Sequence, residues 1–142
     1  MPTQTGSAPS TTVQTPVPIE PSDTQLSAEF MRCRAWLQDA LERGGHKYRL
    51  IDVYKLVESG DAMLWAGSKA AFVSEVRQYP QWKALNLWLA GGDLKSLLAA
   101  EPAIVEMARA NDCKFIEIAG RRGWLRALNS FNEIYTMIAR PV

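Results

Sequence analysis

The sequence predicts a single α/β domain in which a mixed central sheet is flanked by helices and preceded by an extended N-terminal tail. Three patterns support this class. Apolar residues recur every three or four positions across 24–43, as on one face of an amphipathic helix. Apolar and polar residues alternate across 70–78 and 83–90, as in strands. The stretch 85–124 has the order strand, glycine turn, helix and second strand, which predicts a β-α-β unit.

The composition is that of one globular domain. The chain has 142 residues, a formal net charge of +1, 22% charged residues and 47% hydrophobic residues. Because the charges nearly balance, nucleic acid is not an expected partner. The broken apolar runs predict no contact with a membrane. Cys33 and Cys113 are far apart in the chain and are predicted to be buried free thiols, whereas His46 is predicted to be an exposed loop residue.

Residues 1–22 are predicted to form a tail outside the domain, which then spans 23–142. Five of the eight prolines and a single charge, Glu20, fall in this segment. It therefore offers little apolar surface to offset the entropy of ordering the chain. The prolines favour an extended, partly polyproline II conformation that lies along a neighbouring subunit. A solvated leader without a role is the alternative.

The first half of the domain predicts two helices and a short strand. The amphipathic helix over 24–43 stops at Gly44-Gly45. A shorter helix follows from about residue 50 and ends at Gly60. The apolar run over 63–65 is short enough to predict an edge strand.

The strands over 70–78 and 83–90 predict an antiparallel hairpin at the centre of the sheet. Strict alternation would place Leu85, Leu87 and Leu89 on one face of the second strand.

The rest of the domain predicts a helix, two more strands and a second short helix. Asp93 is a natural N-cap, and Pro102 is expected to break the helix that it begins. A strand over 115–119 is predicted to lie parallel to its neighbour. A short helix over 123–128 and a last strand over 133–139 then complete the chain.

The glycine turn after the second hairpin strand is a candidate anion site. Gly91-Gly92-Asp93 lies between a strand and a helix, where free backbone N–H groups can bind phosphate. The alternative is a capping turn in which the glycines supply flexibility and the aspartate caps the helix. Gly91, Gly92 and Asp93 are therefore predicted to bind a cofactor only if one with phosphate groups is present.

A second turn, Gly120-Arg121-Arg122-Gly123-Trp124, is basic. Paired arginines between glycines suit bidentate recognition of carboxylate or phosphate. Arginine and tryptophan are also common anchors of protein interfaces. Arg121, Arg122 and Trp124 are thus predicted to bind a partner or an anion. The alternative is that the arginines pair with acids such as Glu117 while Trp124 packs in the core.

The chain offers few catalytic groups. It contains no candidate Ser-His-Asp triad, and no spacing of His, Cys, Asp and Glu predicts a metal site. Strand-borne acids and tyrosines are the remaining candidates for general bases and acids: Glu75, Glu117 and Glu133, and Tyr54, Tyr79 and Tyr135. Because strand-borne acids more often face solvent, the sequence alone assigns no catalytic residue.

The order of elements and several short motifs resemble the GNAT (N-acetyltransferase) fold, and in particular short phage-encoded GNAT-like proteins. The matching residues are Leu64-Trp65, Tyr79-Pro80, Leu89-Ala90-Gly91-Gly92, Cys113 and Ala119-Gly120-Arg121-Arg122-Gly123-Trp124. The resemblance implies that acetyl-CoA would lie between the strands over 83–90 and 115–119, with its pyrophosphate at the glycine turn. The turn lacks the Arg or Gln that leads it in active members, and the helix over 124–128 lacks their tyrosine.

These departures imply a degenerate member of the family, without a cofactor. The expected function is a non-enzymatic phage protein associated with the virion or its assembly, located in the virion or the host cytoplasm. Its tail and Arg121, Arg122 and Trp124 would contact other virion proteins. The alternative is an acetyl-CoA-dependent N-acetyltransferase acting on an amine. A small host-interaction module is a third interpretation.

Overall fold

A computed structural model describes residues 13–118, 127–128, 131–134 and 138–142 of the chain. The elements follow in the order β1 (Val17–Ile19), α1 (Leu26–Arg43), α2 (Leu50–Ser59), β2 (Met63–Ala66), β3 (Ala70–Gln78), β4 (Lys83–Gly92), α3 (Leu94–Ala99), α4 (Glu101–Ala110) and β5 (Phe115–Ile118). One five-stranded sheet has the strand order β1-β2-β3-β4-β5. Its pairs are antiparallel up to β4, and β4 and β5 are parallel. The predicted α/β domain with a mixed sheet flanked by helices is confirmed.

Helices cover both faces of the sheet, and each face has its own apolar core. On the α1 face, Phe30, Cys33 and Leu37 of α1 pack with residues of α2 and of the central strands. On the α3/α4 face, Ile104 and Ala108 of α4 pack with other buried apolar residues. None of the helices in the described part of the chain is long and apolar enough to cross a membrane.

The end of the predicted tail belongs to the sheet. Val17–Ile19 form β1, which pairs with β2 through Val17↔Ala66 and Ile19↔Leu64. Pro16 is fully buried. The prediction of β2 as an edge strand is therefore wrong, because β1 covers its outer side. Prolines are tolerated here since an edge strand has one side without a hydrogen-bonding neighbour. The expected contact of the tail with another subunit stays a prediction for residues 1–12, which lie outside the described residues.

Strand β4 does not alternate as simply as the sequence predicts. Its pairing with β3 shifts between Val73↔Leu89 and Ser74↔Leu87, so that Trp88 is an extra residue. A bulge of this kind turns the following side chain to the other face. Leu85 and Leu87 accordingly pack in the α3/α4 core, whereas Leu89 packs in the α1 core. The prediction that Leu89 shares a face with Leu85 and Leu87 is wrong for this reason.

The helical region after β4 divides as predicted. Asp93 caps α3, and α4 begins at Glu101 with Pro102 in its first turn. The strand β5 is parallel to β4, as expected.

The end of the chain is described only in part. The predicted helix over 123–128 and Arg121, Arg122 and Trp124 lie wholly or mostly outside the described residues. The predicted last strand over 133–139 is not formed by its described residues, 133–134 and 138–139. Ile134 and Ile138 are 80% and 90% exposed, so no sheet face buries the apolar side chains that suggested a strand.

Candidate functional site

The described pairing of the two parallel strands covers only part of β4. The paired residues of β4 and β5 run from Ala84↔Phe115 to Leu87↔Ile118. Strand β4 continues to Gly92, and within the described residues this continuation pairs only with β3. The last part of β4 therefore has an edge with no described strand beside it.

An apolar cavity lies on the α3/α4 face at this point. Its lining is almost wholly apolar and consists of Phe72, Leu87, Ala90, Leu94, Leu97, Leu98, Glu101, Ile104, Ile118, Leu128 and Phe131. The cavity volume is about 40 Å³, whereas one water needs about 10–15 Å³. Leu87 and Ile118 form the last described pair of the parallel ladder, so the cavity lies at the end of that described ladder. It can receive a narrow apolar group.

Packing explains both glycines at the end of β4. A Cβ on Gly91 would lie 2.3 Å from the backbone oxygen of Trp36 in α1. Gly92 has a φ of 103°, and a Cβ there would lie 2.4 Å from the backbone oxygen of Lys69. Neither position therefore requires a bound phosphate to account for its glycine.

Asp93 serves the helix that follows. Its Oδ2 accepts hydrogen bonds from the backbone N–H of Ser96 at 3.2 Å and from the Ser96 hydroxyl at 3.0 Å. One N–H of the first turn of α3 is thus already bound, and by a carboxylate. The capping interpretation of this turn is confirmed, and its binding of a cofactor stays a prediction.

A polar network crosses the α1 face of the sheet. Glu75 of β3 lies opposite Asn86 of β4, and Asn86 lies opposite Glu117 of β5. The Asn86 amide donates to Glu75 at 3.3 Å, and Arg77 donates to the same oxygen at 2.6 Å. The Tyr79 hydroxyl donates to Glu117 at 2.7 Å. Three adjacent strands therefore place two carboxylates near the end of the described β4–β5 ladder, on the face opposite the cavity.

The two carboxylates of this polar network differ in their charge partners. Glu75 forms an ion pair with Arg77, and this hydrogen bond raises the pKa of the Arg77 guanidinium. Glu117 forms no ion pair within the described part of the chain, and its partner is the neutral Tyr79 phenol. The hydrogen bond to Glu117 raises the pKa of Tyr79, so the phenol stays protonated at neutral pH. Glu117 is therefore the carboxylate of the network that has no cationic partner among the described residues, which makes it the better candidate for binding an ammonium group.

Aromatic side chains flank the polar network at both ends. The ring centroids of Trp82 and Phe115 lie 5.0 Å apart at the start of β4 and β5. Tyr48, from the loop between α1 and α2, lies 4.9 Å from Trp88 at the other end. Trp88 Nε1 is buried and has no hydrogen-bond partner among the described residues. The α1 face of the sheet therefore carries a site with acidic residues at its centre and aromatic residues at both ends.

The structure brings together three of the residues that the sequence proposed for catalysis, Glu75, Glu117 and Tyr79. Tyr54 is not among them, because its ring packs on Phe30 in the α1 core. Glu133 lies in a segment without strand structure.

The remaining sequence candidates do not join this site. Tyr135, Arg121, Arg122 and Trp124 lie outside the described residues. His46 is exposed, as predicted, and the described residues contain no group of three metal-ligating side chains. Cys33 is buried and Cys113 is partly exposed, and both are free thiols.

Four residues of this site were not predicted from the sequence: Asn86, Arg77, Trp82 and Tyr48. Arg77 and Asn86 occupy ordinary positions of alternating strands, and only the pairing of β3, β4 and β5 joins them to Glu117. A polar residue at an otherwise apolar position of β4, such as Asn86, is the one signal in the sequence that points to the network.

Comparison with known proteins was informative at the level of structure only. No protein-family model matches the chain, and no curated protein sequence matches it. An aminoglycoside acetyltransferase, HMB0005, from an uncultured soil metagenomic sample is similar in structure over 91% of this chain and 98% of its own, with a TM-score of 0.63 and 13% identity. An acetyltransferase of Trypanosoma brucei is similar over 91% and 99%, with a TM-score of 0.58 and 9% identity.

A third similar structure is that of a tetramutant of the BH1408 protein from Bacillus halodurans. The similarity covers 89% of this chain and 99% of that protein, with a TM-score of 0.60 and 13% identity. Identities this low establish the fold alone. They support neither a phage origin nor a degenerate family member. The chain has a GNAT-like fold in which an apolar cavity lies at the end of the described pairing of the parallel strands β4 and β5.

Proposed function

We propose that the protein is an N-acetyltransferase that transfers the acetyl group of acetyl-CoA to a primary amine. The observation that carries the proposal is the apolar cavity on one face of the sheet, at the end of the described β4–β5 ladder, with the polar network on the other face. A thioester donor and an amine acceptor would then meet beside the end of this ladder. The structural similarity to acetyltransferases supports this assignment over a virion-associated structural role.

The donor would lie along the part of β4 beyond Leu87, which has no described strand beside it on that edge. The apolar arm of the thioester fits the cavity lined by Leu87, Ala90 and Ile118, and the backbone beyond Trp88 offers hydrogen bonds to its amide groups. The glycine turn fits the pyrophosphate less well, because the Asp93 carboxylate already binds an N–H of α3. The paired Arg121 and Arg122 remain the predicted source of positive charge.

The acceptor amine would bind on the α1 face, beside Glu117. Glu117 takes a proton from the ammonium group, and the neutral nitrogen attacks the thioester carbonyl carbon. A C–N bond forms, the C–S bond breaks and the CoA thiolate leaves. The nitrogen loses its second proton as the amide forms, the thiolate takes up one proton through solvent, and Glu117 returns the other proton to solvent. Tyr79 holds the Glu117 carboxylate in position through its 2.7 Å hydrogen bond. The acetyl donor supplies the activated acyl group.

The proposal is tested by calorimetric titration with acetyl-CoA and by a thiol-release assay with a panel of amines. We expect Glu117→Gln to lower kcat by about 10²-fold or more while the Kd for acetyl-CoA stays unchanged. Glu106→Gln, at an exposed position of α4, is the matched control and should have the activity of the wild type. Absence of acetyl-CoA binding at millimolar concentration would overturn the proposal and favour the non-enzymatic alternative.

A further inference from the structure

An exposed aromatic pair lies beside the polar network at the start of the β4–β5 ladder, where Ala84 pairs with Phe115. Trp82 is 38% exposed and Phe115 is 45% exposed, although large apolar side chains are usually buried. Phe115 lies two residues before Glu117 on β5, so the two side chains share the α1 face of the sheet. Residues two apart in a strand are separated by about 6.6 Å. An apolar surface therefore lies two residues along β5 from the candidate base, Glu117.

The aromatic pair is held in place by its surroundings. The backbone N–H of Tyr79 donates to the backbone oxygen of Trp82 at 2.8 Å, which closes the turn between β3 and β4. The two rings meet edge to face. The Lys114 ammonium lies 5.6 Å from the Trp82 ring centroid and 5.9 Å from that of Phe115. A planar ligand would meet a surface that is largely preformed.

The charges around this surface select among amines. One carboxylate, Glu75, is neutralised by Arg77, which leaves Glu117 to attract a single ammonium group. Lys114 places a positive charge beside the aromatic pair. A polyamine or an aminoglycoside, extended in that direction, would bring further ammonium groups toward this lysine, and like charges repel.

We propose that the acceptor is an arylalkylamine, in which a short alkyl chain joins one primary amine to a planar aromatic ring. The proposal rests on the proposed acetyl transfer and names its acceptor class. The ammonium group binds Glu117, and the ring packs on Trp82 and Phe115. This arrangement covers apolar surface that is otherwise exposed to water, which favours binding.

The test compares acceptors in the thiol-release assay and by calorimetry without acetyl-CoA. We expect the wild-type protein to acetylate 2-phenylethylamine with a kcat/KM about ten-fold or more above that for spermidine or sisomicin. Trp82→Ala and Phe115→Ala should each lower kcat/KM for 2-phenylethylamine by about ten-fold and leave that for ethanolamine, which has no ring, unchanged. Phe115→Leu keeps an apolar side chain and should lose less than Phe115→Ala.

Val76→Ala is the matched control, because Val76 is also an exposed apolar strand residue, at 42%, but faces the opposite side of the sheet. Its kinetics should match the wild type. Preference for spermidine, or an equal loss with both amines in the aromatic variants, would overturn the arylalkylamine proposal and leave acetyl transfer intact. Binding of 2-phenylethylamine that is weakened by Trp82→Ala, in a protein that does not bind acetyl-CoA, would support the amine site and overturn the transferase.

Discussion

At the scale of single residues, Gly91 lies where the backbone of helix α1 packs tightly against the sheet. A Cβ at this position would lie 2.3 Å from the backbone oxygen of Trp36, and a helix backbone cannot move aside as a flexible side chain can. We expect Gly91→Ala to lower the free energy of unfolding by about 1–3 kcal/mol, as overpacking does. Urea denaturation would measure the change.

Gly44→Ala is the matched control, because the nearest atom to its added Cβ is 3.4 Å away. Equal unfolding midpoints for the two variants would contradict the close approach of α1 to β4.

The two cysteines are expected to differ in reactivity. Desolvation raises the pKa of both thiols, so little thiolate, the reactive form, is present at neutral pH. Cys33 is fully buried and Cys113 is partly exposed. Iodoacetamide should therefore label Cys113 first, faster as the pH rises toward its pKa, and should label Cys33 only in denaturant. Mass spectrometry of the peptides would measure this, and equal labelling of the native protein would contradict it.

Residue types in the sequence were enough to propose Glu75, Glu117 and Tyr79 but not to choose among six acids and tyrosines. Tyr79 and Glu117 are 38 positions apart in the chain, and their contact depends on the pairing of three strands. The ion pair of Glu75, in contrast, is local, because Arg77 lies two residues along the same strand. Long-range register was therefore needed for the Tyr79–Glu117 contact and not for the Glu75–Arg77 pair.

At the scale of elements, β1 is the part of the N-terminal segment that stabilises the domain. It pairs with β2, and Pro16 before it is fully buried. A chain that begins at Val13 should keep these contacts, whereas one that begins at Ser22 should lose them. We expect the second truncation to lower Tm by about 5 °C or more relative to the first, as a loss of about 1–2 kcal/mol would. Equal Tm values in thermal denaturation would return the boundary to residue 22.

Substitutions of Asp93, in the turn into α3, are expected to affect acetyl-CoA binding and thermal stability differently. Asp93→Asn keeps an oxygen that can accept the Ser96 N–H, so Tm should change little because Asn is an equally good N-cap. It removes a negative charge next to the predicted pyrophosphate position, so the Kd for acetyl-CoA should fall. Asp93→Ala, which also removes the cap, should cost about 1 kcal/mol of stability. Unchanged Kd in both variants would place the pyrophosphate elsewhere.

Strands whose own residues alternate between apolar and polar were predicted well. Features that depend on pairing with another strand were not. The alternation of residues 70–78 and 83–90 gave the hairpin of β3 and β4 almost to the residue. Strand β1 has only three residues and contains Pro18, so its sequence carries no strand pattern and its pairing with β2 decides it. The bulge at Trp88 likewise arises from pairing, which is why Leu89 changes face against the alternation.

At the scale of the whole molecule, the sheet separates two kinds of surface. The cavity on the α3/α4 face is apolar, and the polar network on the α1 face carries the charged groups. Strands β4 and β5 lie between them, and their described pairing ends at Leu87 and Ile118. A donor and an acceptor can therefore bind from opposite faces without competing for the same side chains.

This separation predicts that a substitution can abolish binding of one ligand without affecting binding of the other. Ala90 lines the cavity and faces away from the polar network, so Ala90→Leu should fill the space for the donor. A donor at a hundredfold excess over its Kd stabilises a protein by about 2.7 kcal/mol, and this rise in Tm should disappear in the variant. Calorimetric binding of 2-phenylethylamine should remain as in the wild type.

Ala103→Leu is the matched control. This position of α4 is exposed, so the variant adds the same carbon atoms outside the cavity and should still bind both ligands. Loss of both ligands in Ala90→Leu, with its Tm without ligand unchanged, would mean that donor and acceptor share one site on one face of the sheet.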